Sequence, residues 1–328
     1  MNATLDTVPL GHLDSAPIGV GRAHAKTILV GEHAVVYGAP AIAIPVPDLT
    51  TVVHAVAGQE VTLNSDLHTG PVDQAPKRLG PVITAISAAL NQVRAQGVPD
   101  VAGVEVTISS DIPPDRGLGS SAAVAAAIAQ AVAGAYHTRF DDSTRFAIAQ
   151  QAERHAHGNP SGLDTHTVMA SAPIRFSHGG VEPIKIKDSF HLVLADSGVP
   201  GSTATAVAGV KTLFETDLGT AHRSIDALSA LTTEVGHALS QGDLAAVGEA
   251  MTQAHEHLRT LGVSIPELNN LVAQARKAGA LGAKLTGGGL GGCVLALTPT
   301  TQTAHDVAAA LHSAGATRVW QLRVDQSC

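Results

Sequence analysis

Residues 113–123 read PPDRGLGSSAA, a turn rich in proline and glycine that leads directly into an alanine-rich segment. Apolar residues follow in a pattern that predicts a helix from Ser120 to about Tyr136. Ser120 and Ser121 then stand in the first turn, where backbone N–H groups have no partner within the helix. These groups and the helix dipole favour negative charge, and a serine hydroxyl there can reach a phosphate-bound magnesium ion. We therefore predict an anion site, with an ordinary serine-capped turn as the alternative.

The glycine spacing of this turn differs from two well-known nucleotide-binding loops. A Walker loop has four residues between its glycines and a lysine after the second, and no lysine follows Gly119. The dinucleotide fingerprint would accept Ala122 at its third position, but it also needs an acidic residue at the end of a strand about 20 residues later. The segment that follows here is helical in pattern. A nicotinamide-dependent oxidoreductase therefore stays open only as an alternative interpretation of the glycine turns.

A second segment places a lysine beside an apolar strand. Residues 26–38 read KTILVGEHAVVYG, and the run over 28–30 is typical of a strand. Lys26 in such a place is costly unless it pairs with an anion. Glu32 and His33 end the strand at a turn, where they can hydrogen-bond a hydroxyl-rich or carboxylate substrate. The alternative is a surface lysine and a turn-capping glutamate.

Two carboxylates flank a turn further along the chain. Residues 153–164 read ERHAHGNPSGLD, with Glu153 near the end of a predicted helix over 143–157 and Asp164 at the start of another element. Carboxylates on either side of a turn can converge on one site. One would hold Mg²⁺, which prefers carboxylate and hydroxyl oxygens, and the other would face a nucleophile. The alternative is a helix-terminal glutamate and an N-cap aspartate.

The fourth segment is a run of glycines. Residues 284–293 read KLTGGGLGGC, with apolar, strand-like residues on both sides. Glycines at this density allow a backbone to approach a ligand or another backbone closely. We therefore expect a structural or ligand-lining turn, with a flexible hairpin as the alternative.

Composition excludes several classes of partner. The 328 residues are 45% apolar and 15% charged, which is enough apolar material for a sizeable core. The net charge of −8 and the scarcity of aromatic residues argue against broad binding to nucleic acid or anionic membranes. We find no apolar run of about 18 residues, and residues 1–17 lack the pattern of a signal peptide. Cys293 and Cys328 are too few for a disulfide framework, which favours a reduced, cytoplasmic setting.

The order of the predicted elements favours an α+β fold, because strands and helices mix in both halves without a regular βαβ repeat. The predicted strands cover 28–30, 41–44, 51–56, 104–108, 191–195 and 317–324, and 283–296 is predicted as strand, glycine turn and strand. The predicted helices cover 81–96, 120–136, 143–157 and 303–313, and 203–278 is mostly helical with breaks near 219, 242 and 266. Residues 59–77 are predicted as a loop or irregular hairpin, and a domain boundary is expected near 180–190.

Together, the four segments resemble the GHMP small-molecule kinases over nearly the whole chain, from about residue 18 to 324. Within that family, residues 26–38 and 157–164 are most similar to the mevalonate kinase branch. The resemblance implies a two-domain α+β fold with the active site between the domains. It implies an N-terminal domain like ribosomal protein S5 over 1–185 and a ferredoxin-like C-terminal domain over 186–328.

The resemblance also implies a reaction, namely ATP-dependent phosphorylation of the C5 hydroxyl of mevalonate with Mg²⁺ as the metal ion. Asp164 matches the catalytic aspartate of the family, and Lys26 matches the lysine that contacts Asp164 and the reacting hydroxyl. The implied substrate-binding residues are Glu32, His33 and Thr203. The implied phosphate loop contains Pro114, Gly117, Leu118, Gly119, Ser120 and Ser121, and the implied magnesium ligands are Ser121 and Glu153.

The chain departs from the family pattern in two places. The usual Pro-Gly before the lysine is His24-Ala25 here, and Gly198 and Gly201 stand where some members have basic residues. A homodimer is a family expectation, whereas nucleic-acid and membrane partners are not expected. Besides the oxidoreductase, three alternatives stay open, namely a phosphomevalonate kinase, a mevalonate kinase that acts at a different hydroxyl, and an inactive ligand-binding homologue.

Overall fold

The computed structural model describes residues 18–177 and 180–327. The region 1–17, where we expect no signal peptide, lies outside the described residues, as does Cys328. The strands are β1 (Ile18–Val30), β2 (Ala41–Gly58), β3 (Thr62–Ser65), β4 (His68–Pro71), β5 (Gly103–Ser110), β6 (Ile174–Ser177), β7 (Gly180–Pro183), β8 (Phe190–Asp196), β9 (Gly282–Thr286), β10 (Cys293–Thr298) and β11 (Arg318–Val324). The α-helices are α1 (Gly80–Ala95), α2 (Ser120–Ala135), α3 (Asp142–His157), α4 (Leu163–Met169), α5 (Thr203–Thr216), α6 (Leu218–Gln241), α7 (Leu244–Thr260), α8 (Pro266–Lys277) and α9 (Thr301–Ser313).

The first sheet is organised around the long strand β2. This strand pairs antiparallel with β1 on one edge and with β5 and β6 on the other. The sequence predicts strands over 41–44 and 51–56, and both segments are strand, but they belong to the one continuous strand β2. The register between β1 and β2 shifts between His24 and Ala25, so residues 47–49 stay out of the ladder and the strand continues past Pro47. The predicted loop or hairpin over 59–77 contains the β3–β4 hairpin.

Helix α2 packs directly on the backbone of β1. A Cβ atom added at Gly19 would lie 1.9 Å from the carbonyl oxygen of Ala131, and one at Gly21 would lie 1.8 Å from that of Ala127. Glycine on the strand and alanine on the helix therefore allow the two backbones to touch. Helices α1 and α3 pack against α2 in turn, so α2 is buried almost all round. This burial explains why α2 has no polar face.

The second sheet contains four antiparallel strands in the order β11-β8-β10-β9. Along the chain, helices α5–α8 follow β8, and α9 separates β10 from β11. The fourth strand therefore lies beside the first, and the third lies between the first and the second, which is the ferredoxin-like arrangement. The predicted helix breaks near 219, 242 and 266 fall at the junctions between α5, α6, α7 and α8. The predicted α+β class is confirmed.

The two sheets meet where β1 approaches β9. The Thr286 hydroxyl accepts a hydrogen bond from the backbone N–H of Ile28 at 2.9 Å and lies 3.0 Å from the hydroxyl of Thr27. This contact joins the strand that contains Lys26 to the strand that leads into the glycine run. Division of the chain at residue 185 stays a prediction. None of the described helices is long and apolar enough to cross a membrane.

Candidate active site

The proline- and glycine-rich turn ends at Gly119, which is the N-cap of α2 and has a φ of 74°. No side chain of the described residues caps this helix, and the N-cap is a glycine, so the alternative of a serine-capped turn is wrong. The backbone N–H of Lys26 donates to the carbonyl of Leu118 at 3.0 Å, which fixes the turn against β1. A Cβ atom at Gly119 would lie 2.9 Å from Cγ of Lys26, so a side chain there would displace the lysine. The start of α2 therefore presents N–H groups beside a buried ammonium.

Lys26 forms an ion pair with Asp164. The Nζ atom of Lys26 lies 2.9 Å from Oδ1 of Asp164, and the two side chains are 2% and 38% exposed. Asp164 lies in the first turn of α4, whose N-cap is Gly162 with a φ of 93°. The structure therefore supplies the anion that a lysine at this place requires, and the alternatives of a surface lysine and an N-cap aspartate are wrong.

Glu153 lies in the last turn of α3 and points into the same region. Its side chain is buried, and its Oε1 atom has no hydrogen-bond partner in the part of the chain that the structure describes. Burial raises the pKa of Glu153, and the nearby Asp164 carboxylate adds to this effect, whereas the Ser121 hydroxyl and His157 act against it. The site therefore holds a buried carboxylate oxygen without a hydrogen-bond partner among the described residues, and a bound cation would satisfy that oxygen.

Glu32 also lies in this region, but its carboxylate is fully buried and pairs with Nζ of Lys284 in β9. The lysine donates a further hydrogen bond to the carbonyl of Leu285 at 2.7 Å. Burial raises the pKa of Glu32 and lowers the pKa of Lys284, and the attraction within the pair opposes both changes. The Oε2 atom of Glu32 has no hydrogen-bond partner within residues 18–177 and 180–327.

The role of Lys284 was missed in the sequence, although the residue begins the fourth segment. The signal was present, because Lys284 lies among apolar strand residues in the same way as Lys26. The rule that demanded an anion for Lys26 also demands one for Lys284.

The glycine run closes the site from the side of the second sheet. His33 Nε2 donates to the carbonyl of Gly288 at 2.8 Å, and burial lowers the pKa of His33. A Cβ atom at Gly288 would lie 2.7 Å from the hydroxyl of Thr203, and one at Gly287 would lie 2.7 Å from Cα of Gly117. These close approaches show that the run is a packed turn, and the flexible-hairpin alternative is wrong.

Two cavities meet at Asp164. The first cavity, of about 320 Å³, is lined by residues that include Lys26, Glu32, His33, Glu153 and Lys211. The second cavity, of about 430 Å³, extends along the phosphate loop toward the β3–β4 hairpin and the start of α1. Both are lined by Gly117, His157, Asp164, Thr203 and Gly288. All the predicted site residues line one or both cavities, so the structure brings the four segments together at one site.

Comparison with known proteins agrees with this arrangement. The family model described as the GHMP kinases N terminal domain matches residues 82–172, and the GHMP kinases C terminal model matches residues 237–317. The mevalonate kinase of Aeropyrum pernix is 34% identical over 284 residues, which cover 84% of this chain and 87% of that relative. The chain belongs to the GHMP kinase family. It is therefore an ATP-dependent small-molecule kinase, and the expected family fold is confirmed.

Solved structures of GHMP kinases extend the comparison. The L. major mevalonate kinase in complex with R-mevalonate has a TM-score of 0.78 and 26% identity, and the match covers 94% of this chain and 97% of that chain. The Methanococcus jannaschii mevalonate kinase has a TM-score of 0.77 and 26% identity, with coverage of 98% and 100%. These matches span both sheets, so the likeness is not confined to one half of the chain.

Proposed function

We propose that this GHMP kinase transfers the γ-phosphoryl group of ATP to the C5 hydroxyl of mevalonate, giving 5-phosphomevalonate and ADP. The observation that carries the proposal is the Lys26–Asp164 ion pair at the junction of two cavities. A phosphoryl transfer brings two substrates together, and Asp164 of this pair borders both cavities. The similarity to mevalonate kinases over most of the chain supports the choice of acceptor.

In this proposal, mevalonate occupies the first cavity and ATP occupies the second. Asp164 accepts a hydrogen bond from the attacking hydroxyl and takes up its proton as the new P–O bond forms. Lys26 stabilises the negative charge that develops on the hydroxyl oxygen, and the N–H groups at the start of α2 hold the phosphates. A loose transition state needs little early proton removal, so positioning and electrostatics contribute more than the strength of the base.

Ser121 and Glu153 are the residues that would hold Mg²⁺. The residues fit this ion, because the buried Oε1 atom of Glu153 lacks a partner and a carboxylate with a hydroxyl is an oxygen donor set. Mg²⁺ in kinases is held by one or two carboxylates together with substrate phosphates, so a complete protein cage is not required. When bound, the ion would neutralise charge on the phosphate oxygens.

The first cavity suits a small acid with one anionic group. Lys26 and Lys211 are its lysines among the described lining residues, and Lys26 is paired with Asp164. Lys211 lies on α5, on the same helix face as Thr203 and Val207, and is available to the substrate carboxylate. A phosphorylated acceptor would add about two negative charges. One available lysine matches the single carboxylate of mevalonate better than the additional phosphate charge of phosphomevalonate.

The proposal includes a cytoplasmic setting, which the low cysteine content of the sequence supports. It also includes the division into domains 1–185 and 186–328, with the cavities between them. A homodimer is the family expectation and is retained as part of the proposal.

The test is ADP release by the purified protein with Mg-ATP and a panel of mevalonate, phosphomevalonate, homoserine and galactose. We expect turnover with mevalonate at a kcat/KM at least about a hundredfold above the others. Phosphorus and carbon NMR of the product should show the phosphate on C5. Turnover of phosphomevalonate alone, a product phosphorylated at C3, or binding without turnover would each replace the proposal with one of the alternatives.

A further inference from the structure

The phosphate loop contains an arginine that contacts the other sheet. Nε of Arg116 lies 2.8 Å from Oδ1 and 2.9 Å from Oδ2 of Asp196, the last residue of β8. Arg116 is partly exposed and lines the second cavity, whereas the side chain of Asp196 is 4% exposed. The ion pair therefore links the loop that precedes α2 to the end of a central strand of the second sheet.

Asp196 is held in place independently of the arginine. Its Oδ1 atom accepts a hydrogen bond from the backbone N–H of Gly198 at 2.8 Å. Its backbone carbonyl accepts one from the N–H of Thr317 at 2.9 Å. A carboxylate that is buried and fixed by its own strand is a rigid anchor for a partner on another segment.

Backbone contacts bring the same part of the loop onto the second sheet. The carbonyl of Asp115 accepts a hydrogen bond from the N–H of Gly201 at 2.9 Å. A Cβ atom at Gly292 would lie 2.8 Å from the carbonyl oxygen of Arg116, so only glycine leaves room for the loop. On the other side, the Lys26–Leu118 hydrogen bond attaches the loop to β1. The loop is thus fixed from both sheets, and Arg116 supplies the charged contact to the second.

We propose that Arg116 is a positioning residue for nucleotide binding, which acts through Asp196 to hold the phosphate loop against the second sheet. In this arrangement, the N–H groups of residues 117–121 are aimed at the phosphates before ATP arrives. Preorganised donors bind more tightly because the loop loses little freedom on binding. This inference rests on the proposed function insofar as the second cavity takes ATP.

The experiment compares Arg116→Met, Asp196→Asn and the double variant with the parent protein. Titration calorimetry measures the Kd of Mg-ADP, and steady-state kinetics give the KM for ATP, the KM for mevalonate and kcat. We expect each single variant to weaken nucleotide binding by about tenfold, and the double variant to weaken it no further, because the two residues act as one unit. The KM for mevalonate should change by less than about twofold. Arg116→Lys keeps the charge but loses the guanidinium geometry, so it should restore part of the affinity.

Arg175→Met is the matched control. Arg175 also pairs with a carboxylate, that of Glu182 at 3.5 Å, but neither residue lines the first or the second cavity. This variant should leave nucleotide affinity unchanged. Thermal unfolding of every variant shows whether the fold is retained at the assay temperature.

Three results would overturn the inference. If Arg116→Met and Asp196→Asn bound the nucleotide with unchanged affinity but melted at a lower temperature, the pair would be a structural contact only. A loss in Arg116→Met but not in Asp196→Asn would mean that the arginine touches the nucleotide itself. Losses that multiply in the double variant would mean that the two residues act separately. Because the Kd of Mg-ADP is measured without an acceptor, a failure of mevalonate to react would contradict the proposed function and leave this test intact.

Discussion

The two members of the catalytic pair differ in their surroundings, and that difference decides how they act. Lys26 is buried and fixed by Asp164, whereas Asp164 is more than one third exposed and borders both cavities. A buried ammonium in a fixed position stabilises developing charge without reorganisation of solvent. The exposed carboxylate can still accept a hydrogen bond from a substrate hydroxyl. The pair therefore orients the acceptor and stabilises the charge that forms on it.

Asp164→Asn tests the role of the carboxylate at the residue scale. Asparagine keeps the shape but cannot take the proton and pairs more weakly with Lys26, so we expect kcat to fall by about 10²–10⁴. The KM for mevalonate should change by less than about fivefold, because most substrate contacts lie elsewhere in the first cavity. Steady-state kinetics at saturating Mg-ATP provide the measurement. A variant that keeps near-normal kcat would remove Asp164 from the mechanism.

Glu153→Gln tests the proposed metal ligand through two independent measurements. We expect the Mg²⁺ concentration for half-maximal activity to rise by about tenfold or more, since a ligand oxygen is lost. Burial raises the pKa of Glu153, so the folded protein binds a proton at this carboxyl group more readily than the unfolded chain does. As the pH rises and the carboxyl group ionises, Glu153 therefore lowers the stability of the folded protein. Without metal, the variant should therefore melt at a higher temperature than the parent at pH 8, with a smaller difference at pH 5. An unchanged Mg²⁺ requirement would contradict the assignment.

At this scale, the apolar surroundings of Lys26 predicted that it needs an anion, and the resemblance to the GHMP kinases identified that anion as Asp164, whereas no partner was predicted for Lys284. A lysine among apolar strand residues predicts an anion, and the structure provides Asp164 for Lys26 and Glu32 for Lys284. The Glu32–Lys284 pair depends on how the two sheets pack against each other. That information is not local, because Glu32 and Lys284 lie 252 residues apart in the chain.

At the scale of elements, local signals located the helix ends well and the strands less well. The breaks between α5 and α8 coincide with aspartate, glycine and proline residues whose preferences act within a few residues, such as Asp217, Gly242 and Pro266. The continuity of β2 past Pro47 depends instead on a bulge opposite β1. The short strands β6 and β7 were missed because four residues carry too little pattern to detect.

Gly119→Ala tests the junction between the phosphate loop and α2, with Gly97→Ala as a matched control. Both glycines have positive φ, 74° and 81°, so alanine should destabilise either variant by about 1–2 kcal/mol. A Cβ atom at Gly119 would collide with Lys26 at 2.9 Å, whereas one at Gly97 would meet nothing within 4 Å. We therefore expect kcat to fall by about 10²-fold in Gly119→Ala alone. Equal activity of the two variants in kinetic assays would show that the turn does not fix Lys26.

At the scale of the whole molecule, the site exists only because two sheets close on each other. The first sheet and its helices supply Lys26, Glu153 and Asp164, and the second half of the chain supplies the glycine run and the start of α5. Resemblance to the GHMP kinases predicted that the parts converge between two units. Hydrophobic periodicity and local motifs alone predicted an α+β chain with four candidate functional segments. They could not show that these segments share one site.

The buried pair of Glu32, just after β1, and Lys284 in β9 leads to a last prediction, because this pair couples the stability of the two sheets. Lys284→Met leaves the Glu32 carboxylate buried without a counter-ion, so we expect the free energy of unfolding to fall by about 3–5 kcal/mol. Adding Glu32→Gln should recover at least half of that loss, since no charge then remains. In the single variant, Glu32 can be relieved by protonation, so the deficit relative to the parent should shrink as the pH is lowered from 8 to 5.5.

Urea unfolding at both pH values measures these differences, with Arg323→Met as the control. Arg323 pairs with Asp325 at the surface, 63% and 72% exposed, and its loss should change stability by less than about 1 kcal/mol. If one sheet unfolded before the other in Lys284→Met, the transition would split into two steps, which would identify the pair as the link between them. A deficit no larger than that of Arg323→Met, or one that grows at low pH, would mean that Glu32 and Lys284 do not form a charged pair in the folded protein.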